Sequence, residues 1–158
     1  MKLIIGLGNP GEKYKNNRHN VGYIVIDKLS RMVNGQRLMA KKTNSFMNNS
    51  GEAVKKMINH YSLNIDHLYI VHDDLDIPLG SYKIQFGVGP KVHNGVASVE
   101  KELGTKDFWR VRVGVDNRDP ENRVDGYDYV LQDFTQEERK ILDGIIGKVC
   151  KEISHLLR

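Results

Sequence analysis

Short apolar runs alternate along the chain with segments in which apolar residues recur every three or four positions. Residues 2–7 form an apolar run closed by Gly8, Pro10 and Gly11, which predicts a buried strand. Further strands are predicted at residues 36–41, 68–71, 82–86 and 109–115. Helices are predicted over residues 21–33 with an end at Asn34-Gly35, over residues 49–61 and 94–103, and from Thr135 to Leu156.

Two of these helix starts carry a capping-box pattern, in which a short polar residue is followed three positions later by glutamate. Asn49 with Glu52 predicts the start of the second helix, and Thr135 with Glu138 predicts the start of the last one. Cys150 falls within the last helix and is expected to be a buried small apolar residue. As the single cysteine it excludes an internal disulfide, which agrees with a reducing cytosol.

The interleaving of strands and helices predicts one α/β domain over residues 1–158, with a mixed, largely parallel, twisted sheet flanked by helices. In open α/β sheets, ligands bind at the carboxyl ends of the strands. Polar clusters at residues 8–19 and 72–76 follow two such ends, and clusters at residues 44–50 and 93–94 precede helices. If these clusters converge, they form one site around His19.

Composition places the chain among globular proteins, with 39% hydrophobic and 28% charged residues in a length of 158. The net charge of +4 is a modest indication of an anionic partner such as RNA, although many cytosolic proteins are mildly basic. The apolar start stops at Gly6 without a cleavage site, and no apolar run approaches the roughly 20 residues that span a membrane. We therefore expect no signal peptide, no membrane association and a cytoplasmic location.

The first strand ends in a glycine pattern that also occurs in dinucleotide-binding proteins. Residues 6–11 fit G-x-G-x-x-G and follow a strand, as that motif requires. The helix should open at the third glycine, however, and a polar stretch containing Arg18 and His19 intervenes. Asp27, which has the spacing of a ribose-binding acid, lies inside the first helix. A nicotinamide-dependent oxidoreductase would therefore rest on the glycines alone, and a glycine and proline turn is the simpler explanation.

The acidic cluster after the 68–71 strand has three interpretations. His72, Asp73, Asp74 and Asp76 are hard metal ligands, but neighbours on one loop rarely point at one ion, and no second cluster has metal spacing. They could form a solvated acidic turn before Pro78. A third interpretation is that one carboxylate orients a histidine, as in hydrolases. We expect no metal.

Histidines and asparagines in the polar clusters are the other candidates for chemistry. His19 and His93 each stand just before a predicted helix, where a histidine is more often structural than catalytic. Asparagines recur in the same clusters, and they serve either turns and caps or the binding of a carbonyl group. No serine lies in a Gly-x-Ser-x-Gly motif, and Cys150 is far from every cluster in sequence. A histidine that activates water is therefore favoured over a covalent nucleophile.

The polar clusters combine with nearby apolar residues into a series of short motifs. In chain order these are Gly6-Leu7-Gly8-Asn9-Pro10-Gly11, Tyr14, Arg18-His19-Asn20-Val21-Gly22, Ser45-Phe46-Met47-Asn48-Asn49-Ser50-Gly51, His72-Asp73-Asp74-Leu75-Asp76, Pro78, Gly80, His93-Asn94-Gly95, Leu103-Gly104-Thr105, Phe108, Arg110-Val111-Arg112-Val113-Gly114, Asp128-Tyr129-Val130-Leu131 and Phe134. Each motif is short, but their order and joint presence over nearly the whole chain are specific. Together they resemble the bacterial-type peptidyl-tRNA hydrolase family.

The resemblance implies an enzyme that hydrolyses the ester joining a peptide to the 3′ end of tRNA. By motif match, His19 would be the general base for water, and Asp73 would orient and polarise it. Asn9, Asn48 and Asn94 would hold the substrate, with Asn9 counted among the catalytic residues because an amide supports the developing oxyanion. An ester is already an activated acyl group, so a positioned water, a base and an oxyanion donor can suffice.

The resemblance also implies where peptidyl-tRNA binds. Tyr14 and Met47 would line the place where the terminal nucleotide and the peptide meet, and Lys83 and Arg112 match positions that contact tRNA phosphates. Phosphate contacts give affinity that is independent of the amino acid carried. No cofactor is implied, and we expect a monomer without an obligate protein partner.

Three features depart from the family's pattern. The segment after the first helix is shorter than usual, which leaves open the loss of one strand of the sheet. Residues 87–92 are bulkier and stiffer than the usual glycine-rich run before Asn94, and Gln85 stands where a second lysine is frequent. A catalytically weakened, tRNA-binding relative is therefore the second hypothesis. The presence of both His19 and Asp73 favours the enzyme.

Overall fold

The computed structural model of the protein describes residues 1–33 and 37–156. The strands are β1 (Lys2–Gly6), β2 (Leu38–Lys42), β3 (Leu68–Pro78), β4 (Tyr82–Phe86) and β5 (Trp109–Asp116). The α-helices are α1 (Val21–Met32), α2 (Ser50–Tyr61), α3 (Asn94–Leu103), α4 (Gly126–Val130) and α5 (Gln136–His155). Short 3-10 turns precede α1 at Arg18–Asn20 and α2 at Met47–Asn49.

The described strands form one sheet in the order β2-β1-β3-β5-β4. The pairs β2–β1, β1–β3 and β3–β5 are parallel, and β4 is antiparallel to β5 at the edge. The prediction of an α/β fold with a mixed, largely parallel sheet is therefore confirmed. Strand β2 at the other edge lies within the shortened segment. The predicted helix end at Asn34-Gly35 and the predicted strand start at Gln36 lie outside the described residues.

Helices cover both faces of the sheet, which explains why its central strands are apolar on both sides. One core joins α1 and α5 to one face, and its residues are Ile4, Val21, Val25, Ile26, Leu29, Leu38, Tyr69, Val71, Val111, Val113, Val115, Leu142, Ile146, Val149, Cys150 and Ile153. The other joins α2 and α3 to the opposite face, and its residues are Leu3, Ile5, Leu7, Met47, Val54, Ile58, Leu68, Ile70, Val96, Val99 and Phe108. Cys150 is buried as predicted, and burial raises the pKa of its thiol to about 11.

Two of the glycines serve the close approach of α1 to the sheet. A Cβ added to Gly22 would lie 2.5 Å from the carbonyl oxygens of Leu7 and Val71, and one added to Gly6 would lie 2.4 Å from the Gly22 oxygen. Contacts this short allow only glycine, so the start of α1 is held against the end of β1 and against β3 at Val71. These glycines therefore serve packing, and the side chain of Asp27 pairs with Lys42 at 2.6 Å.

Two local predictions are wrong. Residues 72–76 are part of β3, which continues beside β5 as far as Pro78, so they are not a loop after the strand. His72, Asp73 and Asp74 are buried in the sheet, which excludes a solvated turn. Asn49 makes no side-chain cap, whereas the capping box of Thr135 and Glu138 is present in full. None of the helices within the described residues is both long enough and apolar enough to cross a membrane.

Candidate active site

The polar clusters converge on one cleft of about 600 Å³ beyond the carboxyl end of β1 and beside the second half of β3. Of the predicted site residues, those that line it are Asn9, Tyr14, His19, Met47, Asn48, Asp73 and Asn94. They come from the segments after β1, before α2, within β3 and at the start of α3. The remaining wall is formed by Phe46, Leu75, Asp76, Lys91, Val92, His93, Asp125, Gly126, Tyr127, Val130 and Leu131.

Asp73 lies between two histidines at the base of the cleft. Its Oδ2 accepts a hydrogen bond from His19 Nδ1 at 2.8 Å, and its Oδ1 accepts one from His93 Nε2 at 2.7 Å. His93 is the N-cap of α3, where its Nδ1 accepts the Val96 N–H at 3.1 Å, so its tautomer is fixed with the proton on Nε2. Both carboxylate oxygens therefore have a donor, and the carboxylate is held in place from both sides.

The same contacts set the charges of the group. Burial by itself would raise the pKa of Asp73, but the two histidines hold it well below its ordinary value, so Asp73 is ionised. Burial by itself would lower the pKa of His19, but the charge of Asp73 and its hydrogen bond leave that pKa raised from 6.5. The His19 side chain is 14% exposed. Because Nδ1 donates to Asp73, neutral His19 offers the lone pair of Nε2 to the cleft.

A third histidine, His72, packs against the pair formed by Asp73 and His93. His72 is fully buried, its Nδ1–H donates to the Asp73 carbonyl at 2.7 Å, and its ring packs edge-on against His93 at 5.2 Å between centroids. Burial, together with the neighbouring His93, lowers the pKa of His72 to about 3, so the ring is neutral near pH 7. An uncharged ring at this position does not compete with His19 for the carboxylate of Asp73.

The turn that carries His19 is anchored on one side by Arg18. The Arg18 Nη2 donates to Glu138 Oε1 at 2.7 Å, and its Nη1 donates to the Tyr129 carbonyl at 3.0 Å. Its guanidinium carbon lies 3.7 Å from the centre of the Tyr129 ring. The side chains of Arg18 and Glu138 are only 6% and 5% exposed. This buried ion pair ties the turn before α1 to the first turn of α5.

Asparagine side chains anchor the other side of the same turn. The amide of Asn20 accepts the Asn9 N–H at 2.9 Å and donates to the Asn9 carbonyl at 2.9 Å. The Asn9 Oδ1 accepts the Met47 N–H at 2.8 Å. With its oxygen occupied, the side chain of Asn9 presents its Nδ2 N–H groups to the cleft. Of these loop asparagines, Asn20 therefore has a structural role, whereas Asn9 also offers hydrogen-bond donors to the cleft.

The family model described as "Peptidyl-tRNA hydrolase" matches residues 3–158. The chain belongs to the peptidyl-tRNA hydrolase family. It is 38% identical to the peptidyl-tRNA hydrolase of Arthrobacter sp. (strain FB24), over 99% of this chain and 90% of that protein. It is 39% identical to the peptidyl-tRNA hydrolase of Aliarcobacter butzleri (strain RM4018), over 99% and 92% respectively.

A solved structure leads to the same family. The crystal structure of peptidyl-tRNA hydrolase from Acinetobacter baumannii superposes with a TM-score of 0.82 and 26% identity, covering 99% of this chain and 88% of that chain. The prediction of an enzyme of the peptidyl-tRNA hydrolase family is therefore confirmed, and the family supports a hydrolase that acts on peptidyl-tRNA.

Two predicted phosphate-binding residues of this family member lie outside the cleft. Lys83 is exposed on β4 and pairs in register with Arg112 on β5. The side chain of Arg112 is 9% exposed, and its Nε donates to Asp74 Oδ2 at 2.7 Å. Lys83 is thus placed to meet an anion from solvent, whereas the structure buries Arg112 in an ion pair. The phosphate contact of Arg112 stays a prediction.

Several residues of the cleft were not predicted as part of the site. Sequence patterns placed His93 in a polar cluster and in a family motif, but they did not reveal its contact with Asp73, which depends on how β3 packs beside the start of α3. Asp125, Gly126 and Tyr127 line the cleft from the start of α4. The motif that follows them, Asp128-Tyr129-Val130-Leu131, was the available signal.

The donor atoms of His19, Asp73 and His93 lie within 4.8 Å of one another, which is close enough for a metal ion. Sequence spacing indicated no second cluster of metal ligands, whereas the fold brings these three residues together from separate segments. The contacts are nevertheless N–H to oxygen hydrogen bonds of 2.7 and 2.8 Å. A metal held at about 2.0 Å would have to replace both protons. The arrangement is therefore that of a hydrogen-bonded carboxylate and histidine pair.

Proposed function

We propose that this protein hydrolyses the ester of peptidyl-tRNA with His19 as general base and Asp73 as the group that orients it. The observation that carries the proposal is the 2.8 Å contact between His19 Nδ1 and Asp73 Oδ2 at the base of an open cleft. It leaves Nε2 of His19 as the one ring nitrogen available to a water molecule. Family membership supports the substrate.

The reaction follows from the positions of these groups. His19 Nε2 takes a proton from water as the oxygen attacks the ester carbonyl, and the ionised Asp73 stabilises the imidazolium that forms. The Nδ2 N–H of Asn9 donates to the oxygen on which negative charge develops. As the tetrahedral intermediate collapses, the bond to the ribose oxygen breaks and the imidazolium returns its proton to that oxygen. The products are a free peptide carboxylate and intact tRNA.

Substrate binding is assigned to the walls of the cleft and to the charged side chain of Lys83 beyond it. Tyr14 and Phe46 form an edge-to-face pair with ring centres 6.3 Å apart, and this pair lines the side of the cleft next to Met47. The exposed amides of Asn48 and Asn94 are available to polar groups of the substrate. Lys83 supplies a charge for a tRNA phosphate. These contacts are independent of the peptide's sequence.

The remaining expectations concern the protein's state in the cell. We infer a cytoplasmic monomer of 18.1 kDa with no obligate protein partner, no cofactor and no metal. The alternative, a tRNA-binding relative with weakened catalysis, has less support because the proposed base His19 and Asp73 lie within hydrogen-bonding distance of one another.

The test is hydrolysis of a purified peptidyl-tRNA with a blocked peptide amino group. Wild-type protein is expected to release peptide and leave deacylated tRNA, at the same rate with and without EDTA. Sedimentation in the same buffer measures the mass of the active species. Saturable tRNA binding without release of peptide would favour the binding protein instead, and loss of activity in EDTA would contradict the metal-free mechanism.

A further inference from the structure

The side chain of Arg112 is enclosed by protein groups rather than presented to solvent. Its Nε donates to Asp74 Oδ2 at 2.7 Å, and its Nη1 donates to Gln85 Oε1 at 2.6 Å. Asp74 is itself 1% exposed. The positive charge of Arg112 is therefore compensated within the fold. A tRNA phosphate would find the Nε and Nη1 donors of Arg112 already occupied.

The guanidinium group of Arg112 packs against the segment at residues 87–92. A Cβ added to Gly89 would lie 2.4 Å from the guanidinium carbon of Arg112, so the backbone of Gly89 rests directly on the guanidinium plane. The neighbouring Arg110 donates from Nη1 to the Gly89 carbonyl at 2.7 Å. Gly89 has a φ of +65°, a conformation that favours glycine. Two arginines of β5 thus hold the same peptide from two directions.

Asp74 holds the other end of this segment through Asp76. The Oδ1 of Asp74 accepts the Asp76 N–H at 2.8 Å, and the Oδ2 of Asp76 accepts the Lys91 N–H at 2.9 Å. The segment continues from Lys91 into His93, which donates to Asp73. Two hydrogen bonds and the short backbone stretch from Lys91 to His93 therefore join the buried ion pair to the histidine that holds Asp73.

We infer that Arg112 and Asp74 are positioning residues, which fix residues 87–92 and through them the start of α3 with His93 and Asn94. Their effect on the reaction is indirect, because neither side chain lines the cleft. The stiffer sequence of residues 87–92 fits the same role. A segment held by hydrogen bonds at Gly89, Lys91 and His93 does not depend on flexible glycines. The inference rests on the proposed hydrolysis.

Two substrates distinguish positioning from phosphate binding. Peptidyl-tRNA carries phosphates, whereas a peptidyl ester of adenosine carries none. Arg112→Gln is expected to lower kcat about 10- to 100-fold on both substrates, because His93 and Asn94 lose their fixed placement. Lys83→Gln, one strand away and exposed, is the matched control. It is expected to raise KM for peptidyl-tRNA alone and to reduce the salt slope of tRNA binding by about 1.

A phosphate contact gives the opposite pattern. If Arg112→Gln hydrolysed the adenosine ester as wild type does, and reduced the salt slope as Lys83→Gln does, the positioning role would be overturned. Wild-type protein must hydrolyse peptidyl-tRNA for the comparison to be made. Its failure to do so would contradict the proposed function, whereas the pattern among variants decides the inference.

Further variants separate positioning from simple loss of stability. Asp74→Asn combined with Arg112→Gln removes both buried charges and is expected to restore the melting temperature but not kcat. Recovery of both would overturn the inference. Gly89→Ala changes no charge and is expected to lower kcat with an unchanged salt slope. Gly104 has a similar positive φ of +67° but no neighbour within 4 Å, so the kcat of Gly104→Ala should equal that of wild type.

Discussion

At the scale of single residues, the site depends on a carboxylate that is held by two histidines of different function. His19 is partly exposed and raised in pKa, whereas His93 is buried and has a fixed tautomer. One carboxylate thereby contacts the proposed base through one oxygen and His93 through the other. The pair of His19 and Asp73 was expected from sequence, but the second contact of Asp73 depends on the register of β3 and could not be predicted from motif order.

Replacing Asp73 with asparagine tests this electrostatic arrangement. In wild type, kcat/KM should rise with pH through a midpoint above 6.5, because only neutral His19 accepts a proton and Asp73 raises its pKa. Asp73→Asn removes the charge, so the midpoint should move to lower pH while the plateau falls. The measurement is the pH profile of kcat/KM, with Asp66→Asn, an exposed carboxylate, as control. An unchanged midpoint would show that Asp73 does not set the pKa of the group that titrates.

At the scale of secondary structure, α5 contributes to the site although none of its residues lines the cleft. Its first turn supplies Glu138, which holds Arg18 beside His19. Helix α1 is fixed at the same turn by the contact of Gly22 with Leu7 after β1 and with Val71 of β3. The position of His19 is therefore set by two helices and two strands.

Glu138→Ala tests the contribution of the buried ion pair. The variant leaves the Arg18 guanidinium buried without its counter-charge, so the free energy of unfolding should fall by about 3–5 kcal/mol. In urea denaturation the neighbouring exposed Glu137→Ala should lose no more than about 1 kcal/mol. At a low temperature, where Glu138→Ala is still folded, its kcat should fall by a larger factor than its KM changes. Equal losses of stability in the two variants would show that the pair contributes nothing beyond a helix-terminal charge.

Sequence patterns predicted the elements well where local signals govern them. Strand β4 and helix α3 have the predicted bounds, and the capping box before α5 is present. The course of β3 was missed because polar residues seldom fill a central strand, and here the partners that satisfy His72, Asp73 and Asp74 come from other segments. The burial of Arg112 was missed for the same reason. Its carboxylate partner lies on a neighbouring strand, and motif matching gives a residue type without its burial.

At the scale of the whole molecule, the net charge of +4 and the exposed Lys83 favour an anionic substrate larger than the cleft. Raising the salt concentration should therefore lower kcat/KM for peptidyl-tRNA. The phosphate-free peptidyl adenosine ester should be affected far less, since it occupies the cleft alone. Steady-state kinetics on the two substrates over a series of KCl concentrations measures the difference. Equal salt dependence would place the charge effect within the cleft rather than along the tRNA.

The central claim is that His19 removes a proton from water in the hydrolysis of peptidyl-tRNA. Single-turnover hydrolysis by His19→Ala tests it most directly, with enzyme in excess so that binding does not limit the rate. We predict a rate about 10²- to 10⁴-fold below wild type, with an unchanged melting temperature and unchanged tRNA affinity. A His19→Ala variant that released peptide at the wild-type rate would contradict the assignment of His19 as the base.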